Sequence, residues 1–489
     1  MNILFASSEA VPFAKTGGLA DVSAALPKTL AEQGHNVTLI IPGYLDAFSS
    51  GIPYEILDIT YSIKLGEKTV HGGFARATLP GSKVDVLLVA QNDYFDREGL
   101  YNDSQNLDYN DNCERFVFFS RAVLEAIRLL NLDIDVLHSN DWQTGLVPAY
   151  LDLLYRPAYP IYEKIASLHT LHNLAYQGQF WHWDMPLTGL EWDHFNWQEL
   201  EFHGKLNFLK TAVVYADALS TVSPTYADEI CTHAGGKGLD CVLMRRRDDL
   251  YGILNGVDYS EWNPATDDYI PHQYDIDSFV EGKNACKKEL QMELGLPVDP
   301  SIPMIGFVGR FSEQKGIHLL NEIMTRSTYE MEPVQWVILG TGDKHYEYHL
   351  SEFAEKEPNC SVWIGFDEAL AHKINAASDA IVMPSIFEPC GLSQLYALKY
   401  GAPPLVRAVG GLQDTINAEN GFKFHQISGS AMFDEFQNLI ATYRDTERWH
   451  ALVRTGMQQD WSWDNRAKQY VELYEKIAEK KRSEEILGE

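Results

Sequence analysis

Short runs of apolar, β-branched residues alternate along the chain with longer stretches in which apolar positions recur every three or four residues. Asn2–Ala6, Val37–Ile41, Val84–Val89, Val136–His138, Ile165–His169 and Ala218–Val222 read as strands of the first half. Between the first two, Leu19, Val22, Leu26 and Leu30 form the stripe of an amphipathic helix. The rhythm restarts after Ser301 with Met304–Val308, Val334–Leu339, Ser361–Ile364, Ala380–Met383 and Pro404–Arg407. Strands spaced by helix-length segments mark parallel α/β units. From Asn255 to Pro303 the rhythm breaks at Asn255-Gly256, Asn263-Pro264 and Gly295-Leu296-Pro297, around one helix near Glu281–Leu294. The pattern predicts an α/β fold of two doubly wound Rossmann-like domains, 1–255 and 256–462, with a cleft between them. A last helix, 463–489, carries Ala467, Tyr470, Val471, Tyr474 and Ile477 on one face.

Length agrees with this division, because 489 residues are too many for one core. Charge narrows the partners. Lys and Arg total 39 against 69 Asp and Glu, a net charge of −30, which repels nucleic acid and anionic membrane. No apolar run approaches the roughly 18 residues of a membrane-spanning helix, and Met1-Asn2-Ile3-Leu4-Phe5-Ala6 lacks the basic start of a signal peptide. The six cysteines contain no C-x-x-C pair and read as free thiols of a reducing compartment. A cytoplasmic protein is expected, with a plastid as the alternative in a plant-type lineage.

Against so acidic a background, cations at the ends of strands stand out. Lys15-Thr16-Gly17-Gly18-Leu19 lies between the first strand and its helix. Its glycines let backbone N–H groups approach an anion at a helix start. It is neither G-x-G-x-x-G nor a P-loop, and an ordinary turn with a solvated lysine reads equally well. Arg310 and Lys315 follow the first strand of the second half, one offering a planar fork and the other a point charge for phosphate; a basic surface loop is the alternative. Glu388-Pro389-Cys390-Gly391-Leu392 follows another strand. There Glu388 suits sugar hydroxyls, and Cys390, with no local base, suits packing better than nucleophilic attack. Gly340-Thr341-Gly342-Asp343 and Gly410-Gly411-Leu412 are further turns. His169 and His172 stand three apart but match no zinc motif, so a polar cluster with Asn140-Asp141-Trp142 is expected rather than a metal site. Trp181, Trp183, Trp192 and Trp197 fit a core or a sugar-stacking surface equally.

Taken together, the motifs resemble those of bacterial glycogen synthases and plant-type starch synthases, retaining glucosyltransferases of the two-Rossmann-domain GT-B type. The resemblance runs through Lys15-Thr16-Gly17-Gly18-Leu19-Ala20-Asp21, His172-Asn173-Leu174-Ala175-Tyr176-Gln177-Gly178, Leu254-Asn255-Gly256-Val257-Asp258, Arg310 to Gly316, Glu388 to Leu392, and Gly410-Gly411-Leu412-Gln413-Asp414-Thr415. It implies elongation of an α-1,4-glucan from a nucleotide-glucose, ADP-glucose before UDP-glucose, without metal or pyridoxal phosphate. It implies a catalytic set of Arg310, Lys315, Glu388 and His172, the last through its backbone carbonyl at the anomeric centre. Lys15, Gly17, Gly18 and Asp21 would serve the diphosphate loop. Asp141, Asn173, Asn255, Cys390, Gly391, Leu392 and Thr415 would complete the substrate-binding set. The final helix is implied to cross back to the first domain. Two positions depart from the family pattern: Gln143 replaces a His after the Asp-Trp pair, and Phe95 replaces a Tyr before Asp96-Arg97. The competing readings are another two-domain sugar transferase, such as a sucrose-type synthase, and an inactive glycan-binding scaffold. Neither oligomeric state nor acceptor length is legible.

Overall fold

The computed structural model describes residues 1–105 and 107–488. It divides into two compact units: Met1–Val222 with Ala227–Ile253 and Trp463–Glu489, and Leu254–Ser462 with Ser223–Tyr226. The short stretch Ser223–Tyr226 lies inside the expected first domain yet packs with the second. Ser223 Oγ donates to the Pro389 carbonyl at 2.7 Å, and Thr225 donates through N and Oγ1 to the Asp414 carboxylate at 2.9 and 2.6 Å.

In the first unit the strands are β1 (Asn2–Ala6), β2 (Asn36–Pro42), β3 (Tyr54–Leu65), β4 (Lys68–Thr78), β5 (Asp85–Ala90), β6 (Val136–Asn140) and β7 (Ala166–Leu171), then β8 (Gln179–Trp181), β9 (Glu201–Phe202), β10 (Lys205–Asn207), β11 (Ala218–Thr221) and β12 (Leu250–Gly252). Nine of them form one sheet in the order β12-β11-β7-β6-β1-β2-β5-β4-β3, while β8, β10 and β9 make a small antiparallel sheet. Alternation decides which face each residue covers. Ile3, Phe5, Val37, Leu39 and Ile41 enter one apolar cluster, and Leu4, Ala6 and Ile40 enter the other. Burial on both faces is why these strands read as unbroken apolar runs. The hairpin β3–β4 pairs antiparallel, and exposed residues alternate with buried ones along much of it. It has no such run, and sequence reading passed over it. The helix Trp463–Gly488 lays Trp463, Ala467, Tyr470, Leu473, Tyr474 and Ile477 into the first unit's core, and Tyr474 Oη meets His138 Nδ1 at 2.7 Å.

The second unit holds β13 (Met304–Val308), β14 (Gln335–Gly340), β15 (Cys360–Ile364), β16 (Ala380–Met383), β17 (Pro404–Arg407) and β18 (Phe422–Phe424), all parallel in the order β15-β14-β13-β16-β17-β18. The strand order reverses between β13 and β16, and in open α/β sheets ligands sit at the carboxyl ends of strands at such a point. In the first unit β1 lies between β2 and β6, so the loops after β1 and β6 leave from the equivalent place. The described cysteines are all free, and among the described residues no helix is long and apolar enough to cross a membrane.

Candidate active site

Two loops of the second unit meet at its switch point. The loop after β13 carries Arg310, which is exposed, and Lys315; the loop after β16 carries Glu388. Lys315 Nζ donates to Glu388 Oε2 at 2.6 Å, and Ser385 Oγ donates to the same oxygen at 2.9 Å. Backbone joins the loops as well, with Ile386 N donating to the Gln314 carbonyl at 2.7 Å. Gly316, at φ +69°, turns so close to β16's end that an added Cβ would lie 2.0 Å from the Pro384 carbonyl oxygen. Motifs some seventy residues apart in sequence thus form one cationic and carboxylate-bearing edge. Glu388 is 5 % exposed, so its carboxylate and the Lys315 ammonium hold each other in a partly dry setting.

The turn Gly410-Gly411 packs from the other side, its Gly411 N–H donating to the carbonyls of Glu388 and Pro389, both at 3.1 Å. Gln394 bridges the same elements, donating to the carbonyls of Cys390 and Gly391, each at 3.0 Å. Two residues expected to contact substrate also serve the packing here. The Thr415 hydroxyl is buried; it donates to the Gly411 carbonyl at 2.6 Å and accepts from Gln394 at 3.3 Å. Thr415 therefore braces the turn from inside. Cys390 is also buried, at 4 % exposure. Gly391 takes the left-handed φ of +72°, and Leu392 caps the following helix Ser393–Lys399 without a side-chain bond. Asn255 is buried and its Oδ1 has no hydrogen-bond partner among the described residues.

In the first unit the loop after β1 is organised by Glu9, 3 % exposed. Its Oε2 accepts from Thr16 N at 2.5 Å and Gly17 N at 3.2 Å; its Oε1 accepts from Thr16 Oγ1 and Tyr101 Oη, both at 2.8 Å. The Gly17 amide, expected to face phosphate, is thus engaged by Glu9. The helix Gly18–Glu32 begins at the next residue with no side-chain cap; Ala20 N donates to the Gly17 carbonyl at 3.2 Å, and the dipole at this end, starting at Gly18, favours an incoming anion. Lys15 Nζ rests on Asp21 Oδ1 at 2.8 Å, both side chains about a third exposed. Asp21 serves Lys15 in this arrangement; so solvated a pair is weak and exchanges readily for a stronger anion.

Asp141, at the end of β6, has φ +55°, a strained value for a non-glycine residue. Its half-buried carboxylate accepts His172 N at 2.8 Å. Burial pushes the carboxyl up to about 7, against the N–H groups of His172 and Asn173 that pull it back. His172 Nε2 meets Asn140 Oδ1 at 2.9 Å, and burial lowers its imidazole to about 3. An amide oxygen only accepts, so Nε2 carries the proton and the ring stays neutral. Asn173 Oδ1 accepts from Ala175 N at 3.0 Å, which turns the chain towards Gly178. Gly178 at φ +61° lies against the Trp142 ring, where a Cβ would come within 2.5 Å. His169 is fully buried and its Nδ1 meets Ser139 Oγ at 2.8 Å, a partner separate from that of His172.

The description "starch synthase catalytic domain" matches residues 2–245, and "glycosyl transferases group 1" matches 294–451. A glycogen synthase of Rhodopirellula baltica is 42% identical over 97% of both chains. Glycogen synthase 2 of Geobacter metallireducens is 45% identical over 99% of this chain and 100% of its own. The chain belongs to the glycogen and starch synthase family. The catalytic domain of starch synthase IV from Arabidopsis thaliana, solved with ADP and acarbose, is 32% identical and superposes with a TM-score of 0.87 over 98% of this chain and 99% of its own. Sucrose-phosphate synthase from Thermosynechococcus elongatus, 18% identical with a TM-score of 0.59 over 97% of this chain and 98% of its own, shares the GT-B fold.

This synthase is accordingly an α-glucan glucosyltransferase. Its two departures from the family pattern settle into the interior. Gln143 is buried with Oε1 unpartnered among the described residues. Phe95 is fully buried against the rings of Tyr44, Tyr94 and Phe119. Sequence reading overlooked Glu9, Gln394 and Arg407. Arg407 Nε donates to the Ser385 carbonyl at 2.8 Å, holding the loop that presents Glu388. The signal was a charged residue at or just past a buried strand, Arg407 at the end of β17 and Glu9 three residues after β1, which needs a partner wherever it lies.

Proposed function

We propose that the chain transfers glucose from ADP-glucose, with UDP-glucose as the lesser donor, to an α-1,4-glucan chain with retention of configuration. The observation that carries this is the Lys315–Glu388 pair, which joins the loop that also bears Arg310 to the loop after β16 at the second unit's switch point. Breaking a glucose–diphosphate bond develops positive charge at the anomeric carbon and negative charge on the departing phosphate. Fixed cations beside that phosphate act mainly in the transition state. Arg310 and Lys315 take this part, Lys15 with the amide of Gly18 grips the diphosphate, and Glu388 holds glucose hydroxyls. The neutral His172 contributes its backbone carbonyl at the anomeric centre, kept in position by the Asp141 carboxylate on its own N–H. Asn255 offers its unpartnered Oδ1 to the donor sugar. With side-chain cations at the phosphate, the scheme calls on no metal ion or other cofactor.

The ADP in the starch synthase IV structure supports an adenine donor. Initial rates with ADP-glucose and UDP-glucose on a glucan primer test the proposal. Higher kcat/KM with ADP-glucose is expected. A preference for UDP-glucose would reverse the donor assignment, and donor hydrolysis without primer extension would refute glucan elongation.

A further inference from the structure

Outside the transfer motifs, the second unit buries a histidine whose hydrogen bonding is incomplete. His372 is fully buried in the helix Glu368–Ala377. Its Nδ1 meets Asp267 Oδ2 at 2.7 Å, and Tyr400 Oη donates to the same carboxylate oxygen at 2.6 Å. A carboxylate only accepts, so Nδ1 carries a proton, and in a neutral ring Nε2 is the nitrogen with the lone pair. That Nε2 is buried and has no hydrogen-bond partner among the described residues. The ring cannot swing away to water, because Trp262 stacks on it at 3.8 Å and 14° and itself stacks on Tyr396 at 3.9 Å and 2°.

Two carboxylates stand near this imidazole. Glu368 is four residues before His372 on the same helix, the spacing that puts both on one face. Glu261 comes from the loop just before Trp262. Ligand atoms of Glu261, Glu368 and His372 all lie within 4.8 Å of one another, and neither carboxylate is buried. With Nδ1 taken by Asp267, Nε2 is the nitrogen that completes the group.

We propose that Glu261, Glu368 and His372 Nε2 bind one divalent cation of the zinc class, with the Asp267 carboxylate orienting the imidazole from behind. One imidazole and two carboxylates suit Zn²⁺, which takes nitrogen at about 2.0–2.1 Å and carboxylate oxygen at about 2.0–2.2 Å and accepts a water in the fourth position. A carboxylate on the far nitrogen of a metal-bound histidine fixes its tautomer and raises its basicity. The cation would tie the loop at Glu261 to the helix Glu368–Ala377, a clip between segments over a hundred residues apart.

The test is equilibrium dialysis of the full chain, stripped with a chelator, against Zn²⁺ alone. One equivalent per chain is expected, accompanied by a rise in melting temperature on Zn²⁺ addition. Because His372 also holds Asp267 inside the protein, Glu261→Gln and Glu368→Gln carry the test. Each should weaken binding at least about 10-fold, the lower end of what even an outer partner's loss costs, and should abolish the thermal shift at limiting metal. Absence of a bound equivalent in the parent protein, or the same affinity in both variants, would overturn the site.

Discussion

Replacing Glu9 with glutamine tests how far the loop after β1 depends on one buried carboxylate. Four donors converge on Glu9: the N–H groups of Thr16 and Gly17 on one oxygen, the hydroxyls of Thr16 and Tyr101 on the other. A glutamine side chain there would keep one acceptor oxygen. Placed towards the two N–H groups, it leaves its NH₂ facing the two hydroxyls, which can rotate to accept. The loss is then mainly the charge on the bonds. A hydrogen bond to a charged group contributes roughly 1.5–3 kcal/mol against about 0.5–1.5 for a neutral one. Over four partly retained bonds the net cost comes to about 2–3 kcal/mol. Where that cost appears as disorder in the Lys15–Gly18 loop rather than global unfolding, it lowers kcat/KM for the nucleotide-glucose by about 30- to 150-fold. Glu9→Ala should lose more, since both N–H groups then lack an acceptor. Steady-state kinetics on a glucan primer, paired with thermal melts, separates loop order from global stability. Wild-type kcat/KM in Glu9→Gln would refute the organising role of Glu9 and return the Gly17 amide to the phosphate.

Arg310→Ala should lose about 10²–10³ in kcat with a smaller rise in KM, and Arg310→Lys should recover only part, because a point charge does not reproduce a bidentate fork. Near-normal kcat with raised KM would move the leaving-group role to Lys315. Cys390→Ser should keep substantial transfer activity, since the thiol is buried in a packed turn; a loss as deep as that of Arg310→Ala would contradict this. The raised carboxyl of Asp141 makes the folded state bind a proton more tightly than the unfolded chain, from 3.8 to about 7. Its contribution to stability is therefore full below about pH 4 and is withdrawn as pH climbs through about 7. Melting temperatures across that window should fall more steeply in the parent than in Asp141→Asn, and parallel curves would exclude the shift. Tyr474→Phe should cost about 1–3 kcal/mol in denaturant unfolding by leaving His138 Nδ1 without its partner. An unchanged midpoint would show that water replaces the hydroxyl.

The parts of the fold written in unbroken apolar runs were legible, because β1, β2, β13 and β16 are covered on both faces and need such residues throughout. The hairpin β3–β4 was not, since only one side of each strand is buried over much of its length and polar residues fill the rest. At the site, Arg310, Lys315 and Glu388 were legible as charges in loops that follow strands. What their positions could not convey was mutual contact: the Lys315–Glu388 pair exists because β13 and β16 are neighbours, a fact of strand order. The same holds for Glu9, whose partners Thr16 and Tyr101 come from different loops. Nor could the motif around Thr415 convey that its hydroxyl donates to the Gly411 carbonyl and supports the turn.

The most direct measurement is proton NMR of a short maltooligosaccharide incubated with ADP-glucose and the purified chain, with Arg310→Ala run beside it. The account predicts growth of internal α-1,4 anomeric signals at the expense of ADP-glucose, with release of ADP and no β-anomeric intermediate product, and a much slower course in the variant. Free glucose as the only sugar product, a β-linked product, or no consumption of ADP-glucose by the parent chain would contradict it.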